Sequence, residues 1–156
     1  MGLDLAIRNG TIVDGSGAPR FQADIGIQDG QIVEIGRIRS GASEVIDAEG
    51  HMVAPGFIDG HTHMDAQVAW DPLGSCSCWH GVTSVIMGNC GFALAPCQPD
   101  QREWIARCLE AVEDIPTEAM MAGINWTWET FPEYLDNVDK LPKAINYGAY
   151  LGHSAL

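Results

Sequence analysis

The chain has 156 residues, 46% of them hydrophobic, and 8 Lys and Arg against 21 Asp and Glu give a formal net charge of −13. That apolar fraction supports a buried core, and the length fits one ordinary domain or a small module joined to part of a larger one. The acidic surplus repels phosphate backbones and anionic lipid surfaces, so neither a nucleic acid nor a membrane is expected as a partner.

No apolar run approaches the ~20 residues of a spanning helix. The start, Met1-Gly2-Leu3-Asp4, has neither the basic residues nor the apolar stretch of a signal peptide. The expected compartment is therefore cytoplasmic. Cys76, Cys78, Cys90, Cys97 and Cys108 are odd in number and irregular in spacing, which argues against a disulfide framework.

Taken in chain order, Leu3, Leu5 and Ile7 alternate as a strand, Asn9-Gly10 reads as a turn, and Thr11-Ile12-Val13 continues beyond it. Ile25 and Ile27 alternate in the same way before a second turn at Asp29-Gly30 and the run Ile32-Val33-Glu34-Ile35. Asn-Gly and Asp-Gly tolerate the positive φ angles of tight hairpins. With Glu44-Val45-Ile46-Asp47 as a further strand, the pattern predicts a small antiparallel sheet with one buried face and edges that need covering.

The character changes at Pro55-Gly56. Phe57-Ile58-Asp59 leads into His61-Thr62-His63, Thr83 to Met87 is an uninterrupted β-rich run, and Ile145 to Leu151 is a third strand candidate. A continuous apolar run suggests a strand covered on both faces, as in a parallel sheet. Trp104, Ile105, Cys108, Leu109 and Val112 share one face of a helix. Thr130 and Glu133 form a capping box with Pro132 in the first turn, ahead of a stripe of Phe131, Tyr134, Leu135 and Val138. Strands alternating with helices predict βαβ units, an α/β fold. The stretch Glu110 to Glu118 reads as a solvated face and turn, and Trp70, Trp79, Trp126 and Trp128 as packing or loop-anchoring aromatics.

The residues that carry chemistry begin with His61-Thr62-His63. Alternation along a strand sends both imidazoles to one face, where they can hold a divalent metal. In Met87-Gly88-Asn89-Cys90-Gly91, Cys90 follows the next β-run between glycines that permit close approach. A neighbouring parallel strand end would bring its thiolate to the histidines as a zinc ligand; the alternative is a small buried thiol in a turn. Cys76-Ser77-Cys78-Trp79-His80 does not match zinc spacings and reads as a helix beneath the second strand, and His51 as a surface or packing residue.

Three segments then carry a resemblance: Pro55 to Asp65, Gly81 through Asn89-Cys90-Gly91, and Phe131-Pro132-Glu133-Tyr134-Leu135. They resemble the N-terminal part of the N-acyl-D-amino-acid deacylases (D-aminoacylases) of the amidohydrolase superfamily, over nearly the whole chain. The resemblance implies that residues 1–55 are part of an antiparallel β-sandwich. It implies that residues 56–156 are the first strands and helices of an incomplete metal-dependent-hydrolase (β/α)8 TIM barrel. His61 and His63 match that family's metal-binding histidines and Cys90 its cysteine ligand to zinc. The resemblance places Asp65 at the barrel mouth, behind the metal ligands or facing substrate, and His153 where it could line the substrate pocket, with a solvated loop carboxylate and a capped or exposed histidine as their alternatives.

The implied reaction is zinc-assisted hydrolysis of an N-acyl-D-amino acid to a carboxylate and a D-amino acid. The later metal-binding histidines and the catalytic aspartate of the family are expected beyond Leu156, so no residue of this chain is assigned as general base. One alternative is a truncated, non-catalytic chain or split subunit that self-associates or needs a complementing chain. The other is an amidohydrolase acting on cyclic amides, which Gly-Asn-Cys-Gly argues against.

Overall fold

The structure, a computed structural model, describes residues 2–156, and these form two compact units, Met1–Pro55 and Gly56–Leu156. The first unit is a sheet of β1 (Leu3–Ile12), β2 (Phe21–Gln28), β3 (Gln31–Gly36), β4 (Ala42–Asp47) and β5 (Met52–Val53). The order is β3-β2-β1-β4, with β5 also paired to β1. The sheet is mixed rather than antiparallel as expected, because β4 and β5 both run parallel to β1.

The two glycine-containing dipeptides part company. Asp29-Gly30 is the hairpin turn between β2 and β3, with φ of 52° and 73°. Asn9-Gly10 is not a turn: β1 runs straight through it, and the ladder to β2 slips between Ile7 and Gly10 as a bulge. A positive φ at Asn9, here 59°, suits either structure, and the local signal cannot separate them. β5 packs closely here, since a Cβ on Gly10 would lie 2.7 Å from Val53 Cγ2, so the position requires glycine. Leu3, Ala6 and Ile38 form the small core, while Ile32, Val33, Ile35, Val45 and Ile46 stay exposed.

Asp24 ties this unit together. Its Oδ1 accepts the Asn9 N–H at 2.9 Å and its Oδ2 the Ile38 N–H at 3.0 Å. These two donors, Asn9 first, hold its pKa below the ordinary value.

The second unit contains a parallel sheet of β6 (Phe57–Thr62), β7 (Val82–Met87) and β8 (Asn146–Ala149) in that order. Its helices are α1 (Ser75–Cys78), α2 (Arg102–Glu113), α3 (Thr117–Gly123) and α4 (Phe131–Asp139). Val85 and Met87 of β7 are buried but Thr83 is exposed, so this strand is not covered on both faces throughout. The short α1 packs Cys78 against the core and leaves Cys76 exposed.

The capping box of α4 forms as the sequence predicts. Thr130 Oγ1 accepts the Glu133 N–H, and Glu133 Oε2 accepts the Thr130 N–H at 2.9 Å. Tyr134 and Val138 are buried below it, whereas Leu135 lies at the margin with 36% exposure. Trp128 is buried, donates Nε1–H to Leu94 O at 3.0 Å, and packs edge-on against Tyr134. Trp79 does not anchor a loop in this way, being 80% exposed, whereas the half-exposed Trp70 ring lies over Gly123 at the end of α3.

The buried face of α2 is also rotated from the one expected. Ile105, Ala106 and Leu109 are buried, and Trp104 and Val112 are exposed. The true face includes a small residue and, one turn past Leu109, the carboxylate of Glu113, neither of which a hydrophobic pattern counts. Among the described residues, no helix is long and apolar enough to cross a membrane.

The Asp24 bonds have a consequence in acid. With a folded pKa below its unfolded value of about 3.8, Asp24 contributes stability that is complete above that value and lost as pH falls through the folded one. Asp24→Asn, whose amide oxygen still accepts a hydrogen bond, is expected to unfold with a shallower pH dependence below about pH 4. Parallel acid titrations followed by far-UV circular dichroism check this; superimposable acid limbs would contradict it.

Candidate metal centre

His61 lies in β6 and His63 one residue beyond it. Thr62 between them is buried and donates its hydroxyl to Ile86 O at 3.0 Å, which seats the end of β6 on β7. With Thr62 turned inward, the flanking imidazoles emerge together, their rings 5.4 Å apart and inclined by only 23°.

Cys90 follows β7 in a tight turn closed by the Gly91 N–H to Gly88 O bond of 3.0 Å. Gly88 has a φ of 75°, and a Cβ there would meet Tyr150 O at 2.7 Å, so the turn admits only glycine without rearrangement. Asn89 reaches back across the sheet end, donating Nδ2–H to Gly60 O at 3.1 Å. The loop after β7 is thereby tied to β6, and Cys90 Sγ comes within 4.0 Å of His63 Nδ1.

One donor atom each from His61, His63 and Cys90 lie within 4.8 Å of one another. His61 is exposed and the other two half-buried, so the cluster is open to solvent on one side. Two imidazoles and a thiol are the nitrogen and sulfur donors that zinc and similar divalent ions select, and the residues fit such an ion.

Asp65 is not a solvated loop carboxylate. It is 3% exposed and lines a small cavity of about 110 Å³ with Val68, Trp128 and Tyr134. Burial pushes its pKa up to about 7. The Tyr134 hydroxyl donates to its backbone carbonyl at 3.2 Å. His153 is exposed at the start of a short turn, near the sheet end where Ser154 N–H binds Gly91 O at 2.9 Å. Neither His153 nor the Cys76-to-His80 segment joins the donor cluster.

Glu113 is the group the sequence reading missed, having placed it on a solvated face. Its side chain is 3% exposed, and Oε1 lies 3.5 Å from His63 Nδ1. Burial, and then the charge of Asp65, push its pKa up to about 8. A signal for it existed: Ile105, Leu109 and Glu113 follow one another at four-residue spacing, so the last is carried inward with the first two.

An amidohydrolase family model matches residues 44–156. The chain belongs to the amidohydrolase family. A D-aminoacylase of Alcaligenes xylosoxydans xylosoxydans is 35% identical to this amidohydrolase over 98% of the chain and 30% of its own length. An N-acyl-D-glutamate deacylase of the same organism is 36% identical over 99% of the chain and 29% of its own length. The crystal structure of an N-acyl-D-glutamate deacylase from Bordetella bronchiseptica, complexed with zinc and a phosphonate inhibitor, matches with a TM-score of 0.81 at 34% identity. That match covers 99% of this chain and 30% of the other. This amidohydrolase thus has an α/β structure similar to the N-terminal part of the D-aminoacylases, and it spans between 25% and 30% of the curated relatives it matches along its length.

The packing under the centre can be probed through Tyr134. Tyr134→Phe removes a buried hydrogen bond and leaves the Asp65 carbonyl without that donor, a loss of about 1–2 kcal/mol. Urea unfolding should show a lower midpoint with an unchanged slope; an equal midpoint would mean the bond carries no net stability.

Proposed function

We propose that this chain is the metal-holding N-terminal portion of a zinc-dependent hydrolase that cleaves N-acyl-D-amino acids to a carboxylate and a D-amino acid. The observation that carries the reading is the convergence of His61, His63 and Cys90 from two adjacent parallel strand ends. Similarity to D-aminoacylase and to N-acyl-D-glutamate deacylase supports the substrate class. On this reading β6 to β8 open a (β/α)8 barrel whose functional end is the one carrying these loops, and residues 1–55 belong to a β-sandwich.

His61, His63 and Cys90 would hold the ion, with the thiol deprotonated as a ligand. Held by these residues, a zinc ion would supply Lewis acidity toward an amide carbonyl and a water. Thr62 ties β6 to β7 and Asn89 ties the loop after β7 to β6, so that the donors are assembled before an ion or substrate arrives. The exposed edge of His61 leaves one side of the centre open to an acyl group. His153, at the rim of the same sheet end, is the residue proposed to face substrate, and Asp65 is proposed to act from behind the centre, its carboxyl being buried in the cavity wall.

A second reading rests on the fraction of the relatives that the chain spans, about 30%. Three parallel strands cannot close a barrel, and Phe57 and Ile58 are 69% and 72% exposed. The chain would then be non-catalytic alone, and would self-associate or need a complementing chain.

The metal reading predicts that Zn²⁺ binds the 156-residue chain in a complex that Cys90→Ser weakens at least about tenfold, a loss of ~1.4 kcal/mol, and that Cys97→Ser does not change. Titration calorimetry measures both, and equal affinities for parent and Cys90→Ser would defeat it. Release of D-amino acid from N-acyl substrates by the chain alone, abolished in Cys90→Ala, would instead overturn the second reading. That second reading in turn expects light scattering to report assemblies larger than a monomer.

A further inference from the structure

The buried carboxylate beside His63 takes no part in the chemistry above. Glu113 closes α2, where the helix end carries partial negative charge and disfavours a carboxylate. Its side chain is 3% exposed, and its Oε2 is buried with no hydrogen-bond partner. A buried carboxyl group with an oxygen left unpartnered needs a neighbouring polar group to complete it. Among the described residues no Lys or Arg pairs with Glu113; the basic group facing Oε1 is the His63 imidazole, with Nδ1 at 3.5 Å.

Glu113 does not belong to the set of mutually adjacent donors, which is His61, His63 and Cys90. From this position it reaches an ion through the imidazole rather than directly. The partner of one ring nitrogen decides which nitrogen is left for a metal. We propose that Glu113 is a positioning residue: it holds His63 through Nδ1, keeps a proton there, and leaves Nε2 to the ion. This rests on reading His61, His63 and Cys90 as a metal centre.

The coupling runs both ways. An ion on Nε2 makes Nδ1–H a stronger donor and gives Glu113 the cationic neighbour it lacks, while the carboxylate makes the imidazole a stronger ligand. The competing partner for Nδ1 is Cys90 Sγ at 4.0 Å, which would draw an ion onto that nitrogen instead.

The test uses the full 156-residue chain with nitrogen-15 histidine, with and without Zn²⁺, and its Glu113→Gln variant. In the Zn²⁺-loaded chain His63 is expected to coordinate through Nε2 and to keep its proton on Nδ1. Glu113→Gln is expected to bind Zn²⁺ about 10–100-fold more weakly at the same stoichiometry. Glu103→Gln, an exposed change on the same helix, should bind as the parent does. Coordination through Nδ1 overturns the proposal, as does unchanged affinity in a Glu113→Gln chain whose circular dichroism matches the parent. Should that variant not fold, the ring-nitrogen assignment in the parent decides alone. If the parent takes up no Zn²⁺, the metal-centre reading falls, and the His63 tautomer ratio still decides for Glu113. A ratio that shifts in Glu113→Gln supports the contact, and an unmoved ratio overturns it.

Discussion

The parallel pairing of β6 with β7 is the constraint on which the candidate centre depends. Parallel neighbours end on the same side, so the residues that follow each strand meet without any long-range search. Two short polar ties make that meeting definite: the Thr62 hydroxyl on Ile86 O, and the Asn89 amide on Gly60 O. Thr62 and Asn89 are not donors to an ion, yet they determine where His61, His63 and Cys90 stand. The glycines around Cys90 serve the same end, since Gly88 accepts the close approach of Tyr150 O that brings β8 alongside.

Beneath this open cluster the molecule stores cost. Asp65 and Glu113 are carboxyls in a largely apolar interior of Met87, Leu109, Trp128 and Tyr134, and burial raises both pKa values toward neutrality. Proteins keep such groups where they serve a site, because an apolar replacement would pack at lower cost. The Trp128–Tyr134 contact packs beside one of them, in the wall of the Asp65 cavity.

Where sequence patterns were read correctly, the reason was local. Thr130 and Glu133 cap α4 because a capping box is satisfied within four residues, and Asp29-Gly30 turns because its backbone angles are intrinsic to those residues. Where they misled, a distant neighbour chose between local options. Asn9-Gly10 is a bulge with β5 packed on Gly10, and the sheet became mixed because β4 returns parallel to β1. The face of α2 turned to bury Ala106 and the Glu113 side chain because the interior beside His63 lies on that side.

The sequence by itself determined the α/β character, the shared projection of His61 and His63, and the presence of a thiol just past the next strand. Each of these follows from side-chain alternation or from the order of residues along the chain. Only the tertiary structure decided that Cys90 stands within 4.8 Å of a ring nitrogen of both histidines, that Asp65 is buried, and that Glu113 faces His63. Those relations join residues between 25 and 50 positions apart in sequence, such as His63 with Glu113 or Cys90 with His61. Strand pairing and helix rotation set such distances, and both are settled by packing rather than by local propensity.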